Sequence, residues 1–380
     1  MDQNKTVDPM ATPGGTIASG KVTRRRFLTT SVLALAGLGG GSALLAACSQ
    51  PAAAPKATAA PSAPAPTAAA AAAPAPAKAG GEVMEFKFAE VQAVGGIYDR
   101  WEHVWAKELS DRTNGQLKIN LFPGGALGGE TDVLQGMKTG SIQISLSGLT
   151  NMPFLDALWG PYIFKDNDQA HRVLDGDIGK AWQDRVLKES GGLRLINFVY
   201  FGPRQLNTKK VPGKEPAELK GLKIRVMEGP IYLATWKALG ASPVPMAWPE
   251  VYTALQQGTI DAQENPFELI VSSKLYEVTK YVAVTNHVRP FRFMFMNDAA
   301  YNKMSKEQQK IFTDTWVETC KKLEDEYVSS DQKFLDTLKS NGMTIVEPDV
   351  AAYKAATESV RQEFVAKVWS QDIYNKVEAL

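Results

Sequence analysis

Residues 219–266 constrain the fold more than any other part of the chain, because apolar side chains recur there first at every second residue and then at helical spacing. Leu222, Ile224 and Val226 show the two-residue period of a half-buried strand. Arg225 falls between them and is therefore expected on the opposite face of that strand. A charged residue in this position needs either solvent or a specific partner.

Two short helices are predicted within the same stretch. One begins at Pro230, which suits the first helical turn, and ends before Gly240, which suits the left-handed position after a helix. The other runs from Pro249 to Gly258 for the same reasons. Strands are expected after these helices, at 244–246 and 260–265. Because the links are short, the βαβαβ order predicts parallel strands with right-handed crossovers, and hence an α/β fold.

Two polar side chains lie near the carboxyl ends of these strands, where open α/β sheets form their ligand crevice. They are Arg225 and Asn265. An arginine there can bind a carboxylate through two parallel hydrogen bonds, and its charge persists at any working pH. The alternative is an ordinary surface ion pair, and the residue pattern alone leaves both interpretations open.

Several separate blocks carry a resemblance to a known family. They read FPGGALGGE, KGLKIRV, GASPVPMAWPEVY, ALQQGTIDAQENP and YEVTKYVAVTNH. Together they resemble the DctP-type solute-binding proteins of tripartite ATP-independent periplasmic (TRAP) transporters over about residues 85–380. The resemblance implies an α/β, two-lobe, periplasmic-binding-protein-like fold with the ligand cleft between the lobes. One lobe is expected at 82–202 and 291–330, and the other at 203–290 and 331–380.

The same resemblance implies the residues of a carboxylate site. Arg225 matches the arginine that clamps the solute. Arg204 matches a second arginine, and Asn265 matches an asparagine, and both of these help to hold the same anion. Trp248 matches an aromatic residue that packs on the ligand. The opposite lobe is expected to contribute Ser147 and Glu90. Some relatives carry an acidic residue directly after the strand that ends at Ser147, and the Ser-Gly sequence here disfavours a strongly hydroxylated sugar acid.

The N-terminal 81 residues are expected to lie outside the fold. Residues 1–47 resemble a twin-arginine export signal, Thr23-Arg24-Arg25-Arg26-Phe27-Leu28, followed by an apolar run that ends in a lipobox before Cys48. Lipidation of Cys48 would tether the chain to the membrane, and an uncleaved membrane anchor is the alternative. Residues 48–81 are rich in Ala and Pro, and their composition predicts a disordered tether. The leader is expected to be disordered as well.

Other kinds of site find little support. The formal net charge is +1, so no nucleic acid partner is expected. His103, His171 and His287 have no further ligands at suitable spacing, so no metal site is predicted. The glycine-rich loop at 123–130 lacks the Gly-Lys-Ser/Thr of a phosphate-binding loop. No catalytic motif has its required partners, and neither a catalytic residue nor a cofactor is expected.

The expected function is therefore that of an extracytoplasmic TRAP solute-binding protein. By the resemblance, it would capture a small organic acid and deliver it to membrane subunits for uptake driven by an ion gradient. Three alternatives remain open: the binding protein of an ATP-driven importer, the ligand-sensing partner of a receptor, and an exported enzyme acting on small acids. Dicarboxylates, keto or hydroxy acids, aromatic acids and sugar acids all carry the group that Arg225 would bind.

Overall fold

The structure, a computed structural model, describes residues 82–380. The predicted leader, Cys48 and the tether lie outside the described residues. The strands are β1 (Met84–Ala89), β2 (Leu117–Phe122), β3 (Ile144–Ser147), β4 (Leu193–Tyr200), β5 (Arg204–Thr208), β6 (Lys223–Val226), β7 (Ser242–Pro245), β8 (Ala262–Asn265), β9 (Tyr281–Val288), β10 (Phe291–Asn297) and β11 (Thr344–Val346).

The helices alternate with these strands along most of the chain. They are α1 (Ile97–Arg112), α2 (Glu130–Thr139), α3 (Pro153–Asp156), α4 (Asn167–Leu174), α5 (Asp177–Glu189), α6 (Pro230–Ala238), α7 (Val251–Gln257), α8 (Phe267–Ser272), α9 (Asp298–Tyr301), α10 (Lys306–Ser340), α11 (Val350–Ala356), α12 (Ala366–Trp369) and α13 (Gln371–Ala379). A π-helical segment, Val360–Val365, precedes α12. No helix within residues 82–380 is both long enough and apolar enough to cross a membrane.

The strands form two sheets. The first has five strands in the order β2-β1-β3-β10-β4, with β1 parallel to β2 and β3 and with β10 antiparallel to β3 and β4. The second has six strands in the order β11-β9-β5-β8-β6-β7. There β6 runs parallel to β7 and β8, whereas β5 runs antiparallel to β8 and β9. The α/β fold with two lobes is therefore confirmed.

The chain passes between the sheets more than once. It leaves the first sheet after β4 and enters the second at β5, through Phe201, Gly202 and Pro203. Gly202 has a φ of +85°, and a Cβ there would lie 2.6 Å from the ring of Tyr327 on α10. Both the backbone conformation and the close packing therefore require glycine at this crossover. The chain returns to the first sheet between β9 and β10.

The C-terminal residues differ from the expected grouping of 331–380 with the second sheet. The indole N–H of Trp369 donates to Phe154 O (2.6 Å), and the side-chain amide of Gln169 donates to Val377 O (2.8 Å). These partners belong to α3 and α4, which precede β4 and the first crossover. The segment from α12 to α13 therefore packs on α3 and α4.

The stretch 219–266 forms the predicted elements with small shifts at their ends. Strand β6, helix α6, strand β7, helix α7 and strand β8 follow in that order, and α7 ends at Gly258 with a φ of 73°. The prediction of a half-buried strand was wrong for β6, because Ile224, Arg225 and Val226 are all buried. Arg225 faces the interior of the protein instead of bulk water.

Candidate functional site

A cavity lies between the two sheets. Residues from both lobes form its wall. From the five-stranded side and the first crossover these are Val91, Gln92, Glu130, Gly148, Trp159, Phe201 and Arg292, and from the six-stranded side Arg204, Arg225, Met227, Trp248, Asn265 and Leu269. Three arginines in so small a space indicate an anion site, provided that their charges are not already neutralised.

Of these three arginines, Arg225 has the positive charge that is least compensated by neighbouring carboxylates. Its side chain is 3% exposed, and Nε donates to Met246 O at 2.9 Å. Among residues 82–380 this is its only hydrogen bond, and no carboxylate there forms an ion pair with it. Burial, and then the repulsion of Arg204, lowers the pKa of Arg225 to about 10. The guanidinium therefore keeps donors that a bound anion can take up.

Arg204, in contrast, already has a carboxylate partner. Leu206 pairs with Glu264 across β5 and β8, so Arg204 lies diagonally across from Glu264 on the same face. Its Nε donates to Glu264 Oε2, and its Nη2 donates to Glu264 Oε1 at 2.7 Å. His287 Nε2 lies 3.1 Å from Oε2 of the same carboxylate. Burial alone would raise the pKa of Glu264, but Arg204 and then His287 lower it to about 2.

Asn265 is oriented by a chain of buried amides. Its Nδ2 donates to Gln263 Oε1 (2.7 Å), and Gln263 Nε2 in turn donates to Asn207 Oδ1 (3.0 Å). Asn207 Nδ2 donates to Thr279 Oγ1 (2.9 Å) and to Tyr281 O (3.0 Å). Because each amide fixes the next, the Asn265 side chain is held at the cavity wall in one orientation. One side-chain N–H and the side-chain oxygen of Asn265 form no hydrogen bond with residues 82–380.

A third arginine, Arg292, lies on β10 and is 1% exposed. Its Nη1 donates to Glu90 Oε2 (3.1 Å) and its Nη2 donates to Leu146 O. Burial raises the pKa of Glu90 to about 7, although Arg292 acts in the opposite direction. Glu102, on the buried face of α1, has its pKa raised well above the usual range, first by burial and then by Glu90. Glu90 thus neutralises Arg292 in part and positions it.

Glu130 supplies a carboxylate from the first turn of α2. Its Oε1 accepts hydrogen bonds from Gly148 N (2.6 Å) and from Ser147 Oγ (3.2 Å). The Ser147 hydroxyl lies 2.8 Å from Leu149 O and 3.2 Å from Leu149 N. The Glu130 carboxylate therefore lies directly beside Gly148, at the position where the sequence lacks an acidic residue.

Aromatic rings cover the guanidinium groups. The Arg225 Cζ lies 5.4 Å from the ring centre of Trp248, and Arg204 Cζ lies 5.1 Å from that of Trp159. Phe201, at the first crossover, contacts two arginines, with Arg204 Cζ at 5.6 Å and Arg292 Cζ at 5.5 Å. Such contacts stabilise desolvated cations by about 1 to 2 kcal/mol each. They also present flat apolar surfaces to any molecule in the cavity.

The two lobes touch in front of the cavity. The Tyr232 hydroxyl donates to Gly148 O across the cleft (3.1 Å), and the Thr131 hydroxyl donates to Glu228. A methyl group on Gly129 would lie 3.1 Å from the Cβ of Ala247. The structure therefore describes a closed cleft, in which the glycine-rich loop before α2 packs directly against the loop after β7.

The predicted site residues fall into two groups. Arg225, Arg204, Asn265 and Trp248 all line the cavity. Ser147 and Glu90 were expected to contact the solute, but neither is among the lining residues. The Ser147 hydroxyl contacts Glu130 and the Glu90 carboxylate contacts Arg292 instead, so both residues position side chains that line the cavity.

Sequence reasoning missed Arg292, Glu130, Gln92 and Glu264. Arg292 had a usable signal, since it is the only charged residue in the run Phe291-Arg292-Phe293-Met294-Phe295-Met296. Glu264 stands beside Asn265 in the QENP block and received no role. A buried acid next to a proposed anion site would have suggested a partner for one of the arginines.

Comparison with known families gives a match over most of the described chain. The family described as bacterial extracellular solute-binding protein, family 7 (DctP), matches residues 96–368. The chain belongs to this family. TRAP solute-binding proteins of this kind act outside the cytoplasm, and the protein is accordingly extracytoplasmic.

Characterised relatives of this TRAP solute-binding protein are similar over most of their length. It is 34% identical over 277 residues to the 2,3-diketo-L-gulonate-binding periplasmic protein YiaO of Escherichia coli, with 70% of this chain and 84% of that protein covered. It is 37% identical over 260 residues to a solute-binding protein of Roseobacter denitrificans, with 67% of this chain and 78% of that protein covered.

Solved structures of TRAP periplasmic solute-binding proteins share the fold. One from Roseobacter denitrificans with bound L-galactonate has a TM-score of 0.73 at 32% identity, covering 78% of this chain and 98% of that chain. One from Ochrobacterium anthropi with bound L-fuconate has a TM-score of 0.74 at 29% identity, covering 79% and 99%. The family and these neighbours are binding proteins, not enzymes.

Proposed function

We propose that this TRAP solute-binding protein captures a small hydroxylated organic acid of the sugar-acid type between its lobes and delivers it to membrane subunits for uptake driven by an ion gradient. The observation that carries the proposal is the state of Arg225. It is a buried cation that lines the cavity, and no carboxylate of residues 82–380 pairs with it. A solute carboxylate supplies the missing partner.

The carboxylate is held from the six-stranded side of the cavity. Arg225 donates two hydrogen bonds to it, and Asn265, oriented by Gln263, donates a third. Each charge-assisted hydrogen bond is worth about 1.5 to 3 kcal/mol, whereas micromolar affinity requires about 8 kcal/mol. Arg225 alone is therefore insufficient, and contacts from the opposite lobe are needed. Arg204, fixed by Glu264, adds positive potential beside the anion.

The opposite wall favours hydroxyl groups on the rest of the solute. Gln92 and Glu130 line the cavity there, and Gln92 Oε1 is buried without a hydrogen-bond partner among residues 82–380. Glu130 supplies the acid that the Ser-Gly sequence lacks, which removes the argument against a hydroxylated solute. The neighbours with bound L-galactonate, L-fuconate and D-glucuronate support the same class, because each of these acids combines one carboxylate with several hydroxyls.

A ligand screen followed by calorimetry tests the proposal. Aldonates and uronates are expected to raise the melting temperature, because they bind only the folded state. The matched neutral sugars and sugar alcohols, which lack the carboxylate, are expected to have no effect. Arg225→Ala is expected to remain folded and to lose about a hundredfold or more in affinity. Wild-type affinity in that variant would remove the arginine clamp from the mechanism.

Binding is proposed to stabilise the closed cleft that the membrane subunits recognise. The lobes are expected to comprise 82–202 with 291–330, and 203–290 with residues after 330, apart from the C-terminal segment that packs on α3 and α4. Small-angle scattering of the protein with and without a stabilising acid measures closure directly. A radius of gyration that does not decrease on ligand addition would contradict closure as the signal.

We also propose that the chain is exported through the twin-arginine pathway and anchored by lipid on Cys48. The support is the sequence alone: three consecutive arginines, an apolar run and a lipobox-like Leu45-Ala46-Ala47-Cys48. Cell fractionation of wild type and Cys48→Ala, each checked by mass for removal of the leader, tests the anchor. Equal membrane association of the two cleaved proteins would refute lipidation.

A further inference from the structure

Each of the three arginines at the cavity has a glutamate near it before any solute enters. Arg204 pairs with Glu264, and Arg292 pairs with Glu90, so two of the three arginines already have a carboxylate. Arg225 has none, but Glu130 lines the same cavity and is close enough to influence its electrostatics. One solute carboxylate on Arg225 therefore leaves no arginine at the site without a carboxylate, and a second carboxylate would add excess negative charge.

Glu130 presents this negative charge in a fixed position. Oε1 is occupied by the backbone N–H of Gly148 and the hydroxyl of Ser147, which hold the side chain in place. Oε2 forms no hydrogen bond with any residue of 82–380. A carboxylate oxygen accepts hydrogen bonds and has none to donate. Oε2 can therefore receive a solute hydroxyl, but it repels a solute carboxylate.

We infer that Glu130 is the residue that restricts the cavity to monocarboxylates, so that the protein rejects the dicarboxylate of the same chain length and hydroxyl configuration. This inference rests on the proposed function and names the charge that its solute must carry. The discrimination is achieved by an unfavourable contact with the wrong solute, in addition to a favourable one with the right solute.

The other two arginines already share their positive charge with a buried glutamate. Arg292 uses one N–H of Nη1 for Glu90 and one N–H of Nη2 for the carbonyl of Leu146. Arg204 uses Nε and Nη2 for Glu264. A second solute carboxylate would therefore compete with a buried glutamate for the positive charge of one of these arginines.

Calorimetric titration with two matched acid pairs tests the inference. D-gluconate is compared with D-glucarate, and D-galactonate with galactarate, since each pair differs only in whether the sixth carbon is a hydroxymethyl or a carboxylate. For wild type, we expect the dicarboxylate to bind at least about tenfold more weakly than its monocarboxylate. For Glu130→Gln, we expect the ratio to fall to within about threefold, with the monocarboxylate weakened and the dicarboxylate strengthened.

Glu250→Gln is the matched control, because Glu250 is an exposed glutamate two residues after Trp248 and is not part of the cavity wall. Its selectivity is expected to equal that of wild type. A wild-type protein that binds both members of a pair equally, or Glu130→Gln protein that keeps the tenfold ratio, would overturn the inference while leaving the proposed function intact. Failure of all four acids to bind would refute the sugar-acid proposal itself, and the inference with it.

Discussion

Replacing Arg225 by methionine is expected to stabilise the ligand-free protein while abolishing binding. Burial lowers the pKa of Arg225 to about 10, and the repulsion of Arg204 adds to this effect. At 1.36 kcal/mol per pKa unit, the difference from an ordinary arginine corresponds to about 3 kcal/mol of destabilisation of the folded state. Methionine has a similar length and no charge, so it removes that destabilisation and fills most of the same space.

One loss opposes this gain. The Nε of Arg225 donates to Met246 O, and the substitution leaves that carbonyl without its partner, which costs about 1 to 2 kcal/mol. The net expectation is an increase of about 1 to 2 kcal/mol in the unfolding free energy of the ligand-free protein. For a folded body of this size, that corresponds to a rise of about 2 to 3 °C in Tm.

Binding is expected to change in the opposite direction. Losing two charge-assisted hydrogen bonds to the solute carboxylate removes about 3 to 6 kcal/mol, or a factor of about a hundred to ten thousand in affinity. The assay is urea unfolding of ligand-free protein, with titration calorimetry for binding. Lys107→Met, at an exposed lysine on α1 that pairs with Asp111, serves as the control and is expected to leave the unfolding free energy close to that of wild type.

Two results would refute this reasoning separately. If ligand-free Arg225→Met protein is less stable than wild type, the destabilisation from burying an uncompensated charge does not outweigh the hydrogen bond that is lost at this position. If the variant binds sugar acids within tenfold of wild type, the carboxylate is held elsewhere. A simultaneous gain in stability and loss of binding is the signature of a site that is kept strained for function.

Three further changes test the closed cleft and the buried acids. Gly129→Ala is expected to weaken binding about tenfold or more by pushing its methyl group against Ala247, without lowering the Tm of ligand-free protein; the double variant with Ala247→Gly should recover affinity in calorimetry. Burial raises the pKa of Glu264, but its ion pair lowers it to about 2. The unfolding free energy of wild type should therefore decline as the pH falls from about 4.5 toward 2. That of the Glu264→Gln variant should decline less over the same range. Burial raises the pKa of Glu90 to about 7. The stability that this raised pKa contributes is therefore fully present below about pH 4.5 and is lost as the pH rises through 7. Glu90→Gln should show a flatter pH profile in urea unfolding between these values, and an unchanged slope would contradict that assignment.

The local elements around the site could be predicted because their boundaries are coded by single residues. Pro230 and Gly240 frame α6, and Gly258 ends α7, since proline and glycine restrict or permit backbone angles whatever surrounds them. The alternation of Ile224 and Val226 with Arg225 indicated a strand in the same way. The position of the clamp arginine near a strand end followed from the chain itself and from the resemblance of the blocks around it.

The state of each charged group depended on contacts between distant parts of the chain. Arg204 and Glu264 are 60 residues apart, and their pairing follows from the antiparallel register of β5 and β8. Glu130 reaches Gly148 only because α2 ends up beside the end of β3. Periodicity reports which face a side chain occupies, but it carries no information on which element covers that face. For this reason the sequence predicts an arginine that binds a carboxylate, while the folded arrangement determines which of three arginines has no carboxylate partner among residues 82–380.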